Sequence, residues 1–151
     1  MSEEIFAQAL RAARGSIQEI YLHVLGEPLL HPRLAQFLAM AQAESLPVNI
    51  TTNGTEIGRQ AETLLKAPGV RQINFSLHAY AEFPESEARQ KLAAVIDFTE
   101  RALKERPELY LNFRLWDIGV QTSCPWNKFV YNAIEERFGA SIDPAKFSPR
   151  H

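Results

Sequence analysis

Residues able to do chemistry gather in a few short segments. The first is His23-Val-Leu-Gly-Glu-Pro-Leu-Leu-His-Pro32, which brings two imidazoles and a carboxylate around a Gly-Glu-Pro turn. His23, Glu27 and His31 are each four residues apart, a spacing that would place three metal-ligand types on one helix face. Gly26, Pro28 and Pro32 forbid a helix there, so the spacing carries no metal site. Glu27 instead reads as a hydrogen-bonded carboxylate that positions its surroundings, and His31-Pro32 as a helix-start device. The second segment, Ile50-Thr-Thr-Asn-Gly54, ends in turn chemistry that could also stand beside a ligand. The third, Ile73-Asn-Phe-Ser-Leu-His78, offers a hydroxyl and an imidazole, and His78 suits either a ligand contact or a satisfied interior position. Arg114 offers a guanidinium, whose fork binds a carboxylate through two hydrogen bonds. Its partner is either a ligand or a structural carboxylate, for which Glu27 is a candidate. Cys124 is the single cysteine and reads as an inert thiol, while Trp116 and Trp126 read as packing residues.

The elements that position these groups alternate between helix and strand. Helices are predicted over 2–14, from Pro32 at N1 to about 45, over 55–66, 84–105 and 125–138. Ile5, Phe6, Ala9, Leu10 and Ala13 form the apolar stripe of the first, with Gly15 at its C′ position. Leu34, Phe37, Leu38 and Ala41 form that of the second, and Ala88, Leu92, Val95, Ile96 and Leu103 face inward from the long one. Strands are predicted over 20–25, 47–52, 71–78 and 109–116. Single helices between strands imply a parallel sheet joined by right-handed crossovers, with every helix on one side when successive strands are neighbours.

Buried parallel strands are normally apolar on both faces. Here one face reads Ile20, Leu22, Val24, Val48, Ile50, Ile73, Phe75, Leu77, Leu111, Phe113 and Leu115. The other reads Tyr21, His23, Asn49, Thr51, Asn53, Asn74, Ser76, His78, Asn112 and Arg114. This period-2 register predicts a sheet curling around a polar lumen that holds a polar ligand; a face left wet or covered by another domain is the alternative. The fold class is therefore α/β: a parallel sheet of about four strands with helices on one face.

Composition sets the limits. At 151 residues the chain is too short for a complete eight-stranded α/β barrel, which needs about 250. A net charge of −2 gives no footprint for nucleic acid or an anionic membrane. No apolar run spans a bilayer, and the Met-Ser-Glu-Glu start does not resemble a signal peptide, so a cytoplasmic location is expected. No linker divides the chain, which reads as one domain of barrel units over about 2–116 followed by a C-terminal helix and tail over 117–151.

The three segments together, each directly after or on a strand, resemble the radical S-adenosylmethionine (SAM) enzymes. That family carries Gly-Gly-Glu-Pro after one strand, often continued as Leu-Leu-His-Pro, then Thr-Asn-Gly after the next and Ser-Leu-Asp or Ser-Leu-His on the one that follows. The resemblance covers roughly residues 2–116. It implies that the sheet is an incomplete parallel barrel presenting SAM to a 4Fe–4S cluster, whose electron cleaves SAM to a 5′-deoxyadenosyl radical for hydrogen abstraction. It further implies that Leu25, Gly26, Glu27 and Pro28 meet the SAM amino group, largely through backbone carbonyls. Asn53, Ser76, His78 and Arg114 are then the candidates for the ribose and the methionine carboxylate, with Arg114 on the carboxylate.

Two departures from the family pattern stand out. Leu25 replaces the first glycine, and the Cys-x-x-x-Cys-x-x-Cys cluster motif with its preceding strand is absent from these residues. Cys124 cannot substitute, because a cluster takes three or four thiolates. The chain is therefore expected to be a piece of a longer enzyme and inactive alone; a degenerate, non-catalytic binding module is the alternative. An unrelated hydrolase or isomerase using His23, Glu27 and His78 is a third reading. An unpaired edge along 20–25 predicts self-association. The substrate is not legible in these residues.

Overall fold

The computed structural model describes residues 1–23, 26–116 and 125–142. The chain forms two compact units, Met1–Arg114 and Leu115–His151.

The first unit opens with α1 (Glu3–Ala13), whose start is fixed by the Ser2 hydroxyl accepting the Ile5 N–H and by Glu3 and Glu4 in the first turn. Gly15, at φ +76, follows the Arg14 C-cap as expected. Strand β1 (Ile20–Leu22) leads through a 3-10 helix (Pro28–Leu30) to α2 (Leu34–Ala43), followed by β2 (Val48–Thr52), α3 (Ile57–Leu65) and β3 (Val70–Ser76). A second 3-10 helix (Leu77–Glu82), α4 (Glu85–Glu105) and β4 (Tyr110–Arg114) complete the unit.

The four strands lie in the order β1-β2-β3-β4, every neighbouring pair parallel. This is the expected α/β arrangement, an open sheet that does not close into a barrel. Helix α1 packs on α2, α2 on α3 and α3 on α4. The apolar register drives this layering: Val48, Ile50, Ile73 and Phe75 are fully buried, and Phe6, Leu10, Phe37 and Leu46 form a cluster against Ile20, Leu22 and Met40. The Phe6 and Phe37 rings stack with centroids 4.5 Å apart.

Several expectations are corrected. β3 stops at Ser76, where the chain turns into the 3-10 helix, so Leu77 and His78 leave the sheet. Pro32 is not the first residue of α2: it lies in a turn, and Arg33 precedes the first helical residue. The His31 imidazole Nδ1 accepts the Arg33 N–H at 3.2 Å, so His31 does organise this start. Ile5 and Leu103 are exposed, because α1 and α4 bury narrower faces than their apolar stripes suggested: Phe6 and Leu10 on α1, and Ala88, Leu92, Val95, Ile96, Phe98, Thr99 and Ala102 on α4. Val24 and Leu25 lie outside the described residues.

In the second unit, α5 (Pro125–Phe138) has the predicted bounds. Within that unit the Asn127 amide donates to the Trp116 carbonyl at 3.0 Å, and Trp126 packs against Phe129. Trp116, expected as a packing residue, is exposed. Cys124 lies outside the described residues. No described helix is long and apolar enough to cross a membrane.

Candidate functional site

Parallel strands deliver their C-terminal ends to one edge of the sheet, where α/β proteins place ligands. Gly26, Glu27, Asn53 and Ser76 follow or end β1, β2 and β3, and Arg114 ends β4. Ser76 and Arg114 are direct Cα partners across β3 and β4.

Glu27 is the centre of this edge. One carboxylate oxygen accepts the Leu29 N–H at 3.0 Å and the Thr52 hydroxyl, while the other accepts the Asn53 N–H at 2.8 Å. The carboxylate thus ties its own turn to the end of β2 and is hydrogen-bonded, as expected. Arg114, exposed at the end of β4, is not among these partners, so the Glu27–Arg114 alternative is not the one formed. The turn is held from behind as well: the Leu29 carbonyl accepts Arg59 and Gln60 side-chain N–H groups of α3, both at 3.0 Å.

The Asn53 side-chain Oδ1 accepts the Thr55 N–H at 2.9 Å and its hydroxyl at 2.8 Å, an Asx turn. What Asn53 can offer a ligand is therefore its Nδ2 donor. Gly54, at φ +74, completes the turn under close packing: an added Cβ would lie 2.9 Å from the Tyr80 hydroxyl and from Val95. Burial pushes the Tyr80 phenol far above its usual range, and the nearby Glu27 charge adds to this. Gly26 is the opposite case. Its φ is +97 and a Cβ there would meet open space, so its backbone stands clear for an approaching group.

The face below this edge is polar, as the register predicted. Asn74 sits opposite Thr51 and Asn112. Its amide N–H reaches the Ile50 carbonyl and the Thr51 hydroxyl, both at 3.3 Å, while its carbonyl accepts Gln72 at 2.8 Å and Asn112 at 3.1 Å. This amide ladder is how a buried Asn74 is satisfied inside the sheet. Tyr21, Tyr110, Asn112 and Arg114 are exposed on the two edge strands.

Of the sequence-derived candidates, the structure brings Gly26, Glu27 and Asn53 together through the Glu27 carboxylate and sets Ser76 beside Arg114. His78 sits in the 3-10 helix rather than on the strand face, and Leu25 lies outside the described residues. Sequence reasoning missed Thr52 and Gln60. The available signal for Thr52 was a hydroxyl at an apolar register position, directly before an Asn-Gly turn.

A parallel α/β half-barrel with two interlocked turns at its strand ends defines the class. The Radical SAM superfamily model matches residues 2–113, and the chain belongs to that superfamily. No curated protein matches it. The superfamily in general uses SAM with a 4Fe–4S cluster. The open backbone at Gly26 and the exposed Arg114 fork fit the amino-acid end of SAM, and the Asn53 donor fits a ribose hydroxyl. The cluster does not fit: a single cysteine in 151 residues cannot supply three thiolates.

Proposed function

We propose that this chain is the SAM-binding half-barrel of a radical SAM oxidoreductase whose cluster thiolates come from polypeptide outside these 151 residues. The Glu27 bracket between the β1 and β2 ends carries this reading, because it joins the two motif segments into one edge. SAM supplies the adenosyl group from which the family draws its radical. The residues here bind and orient it: the Gly26–Pro28 backbone toward the amino group, Arg114 on the carboxylate, and Asn53 and Ser76 toward the ribose, with His78 as a further ribose candidate from its 3-10 helix. The chain alone is expected not to cleave SAM. The alternative, a non-catalytic ligand-binding or interaction module on the same half-barrel, draws on the single cysteine.

Ligand-observed NMR with SAM and 5′-deoxyadenosine tests the reading. Both ligands should bind and compete. Arg114→Ala should weaken SAM by tenfold or more, about 1.5–3 kcal/mol for a hydrogen bond to a charged group. It should leave deoxyadenosine almost unchanged, since only SAM carries the carboxylate. Binding of neither ligand by the wild-type chain would reject the proposal, and equal loss of both in the variant would make Arg114 a structural residue.

A further inference from the structure

Thr52 stands where the apolar pattern calls for a valine. Val48, Ile50 and Thr52 alternate along β2, Thr52 is paired with Phe75, and it is 2% exposed. Valine would fill the same volume with no polar atom to satisfy. The hydroxyl instead works in both directions, donating to Glu27 and accepting the Gly54 N–H at 2.9 Å. Glu27 returns the connection by accepting the Asn53 N–H. The Gly26–Pro28 and Asn53-Gly54 turns are thereby closed into a single hydrogen-bonded ring, 25 residues apart in sequence between Glu27 and Thr52.

We propose that Thr52 is a positioning residue of the SAM site, fixing the spacing between the Gly26 backbone and the Asn53 side-chain donor. The inference rests on the reading that these two turns hold SAM. Buried as it is, Thr52 acts through Glu27 and Gly54 and need not touch the ligand. A ligand gripped by two turns binds well only when both are held within a fraction of an ångström of the productive spacing, which neighbouring hydrogen bonds supply.

The test uses the full chain with Thr52→Val, which removes the hydroxyl and keeps the shape, and Thr52→Ser, which restores it. Amide hydrogen exchange at Asn53 and Gly54 is measured without ligand, and SAM and 5′-deoxyadenosine affinities by NMR titration. In Thr52→Val both amides should exchange about tenfold faster and SAM, which spans both turns, should weaken about tenfold, the size of one hydrogen bond to a charged group; 5′-deoxyadenosine, which lacks the amino-acid end that meets the Gly26 turn, should weaken less. Thr52→Ser should bring all four quantities back to within about threefold of wild type by the same argument. If Thr52→Val fails to fold, Thr52→Ala removes the same hydroxyl and leaves Glu27 in place, and it is read at the same amides. Unchanged exchange, or no rescue by serine, overturns the positioning role. Faster exchange with undiminished affinity overturns it too. The expected exchange response in a wild-type chain that binds neither ligand overturns instead the SAM reading on which the inference rests.

Discussion

The carboxylate of Glu27 accepts the backbone N–H of Asn53 at 2.8 Å, across 26 residues of chain. This bond makes two motif segments on successive strands into one site edge. Its energetic logic is that of a half-buried carboxylate whose oxygens are met by donors from its own turn and from β2. Removing the carboxyl group would release the Leu29 N–H, the Thr52 hydroxyl and the Asn53 N–H together. The consequences of the architecture are open to measurement at several other residues.

The two motif glycines should respond differently to alanine. Both have positive φ, +97 at Gly26 and +74 at Gly54. A side chain in that region costs about 1–2 kcal/mol, and Gly26→Ala should lose about that much because its Cβ meets open space. Gly54→Ala must also displace Tyr80, Val95 or Phe75, adding about 1–3 kcal/mol of overpacking. Urea unfolding should rank Gly54→Ala as the more damaging change; equal losses would contradict the close packing at that turn.

Arg106 holds the opposite end of the sheet. Its guanidinium donates to the carbonyls of Leu64, Leu65, Ala67, Pro68 and Val70, closing the end of α3 onto the start of β3. Its side chain is 11% exposed. Arg106→Lys keeps the charge and loses the fork, so thermal unfolding should show a destabilisation of about 2–3 kcal/mol for both Arg106→Lys and Arg106→Ala. Full stability in the lysine variant would show that charge alone suffices.

Acid should loosen the α3–α4 pairing. Hydrogen bonds from Arg101 and then Lys66 hold the Glu62 carboxyl below its ordinary value of 4.5. A carboxyl lowered in the folded state adds stability that is complete above the unfolded value and lost as pH falls through the folded one. The melting temperature should therefore fall on acidification below about pH 4.5, and less steeply in Glu62→Gln. The pair is exposed, so added salt should shrink the difference. Parallel pH profiles for the two proteins would remove Glu62 from the acid response.

The outer edge of β1 should promote self-association. β1 ends the strand order, and beside it lies a cleft of about 560 Å³ lined in part by the exposed apolar residues Met1, Tyr21 and Leu30. A strand that ends a sheet beside apolar surface is a template for pairing. Light scattering across a concentration series should show dimers or larger soluble species. A single monomeric mass at every concentration would reject the expectation.

The amino-acid sequence by itself determined the strand and helix order, the two-faced character of the sheet and the motif segments. These follow from local rules: period-2 alternation in Ile20–Leu22 and Tyr110–Arg114, the Ser2 cap, and the Asn53-Gly54 turn. Only the tertiary structure decided which polar atoms meet. Nothing near Thr52 in the chain says that its hydroxyl will find Glu27, since the two come together only when β2 aligns beside β1. The same holds for Gln60 on the Leu29 carbonyl and for Arg106 on the end of α3, each a long side chain satisfying backbone groups that a distant turn leaves open. His78 left the sheet because β3 gives way to a 3-10 helix that buries Leu77 and Tyr80, a choice made by packing rather than by alternation. Leu103 stayed exposed because the inward face of α4 is set by what packs against it, and a helical stripe records only what can be buried.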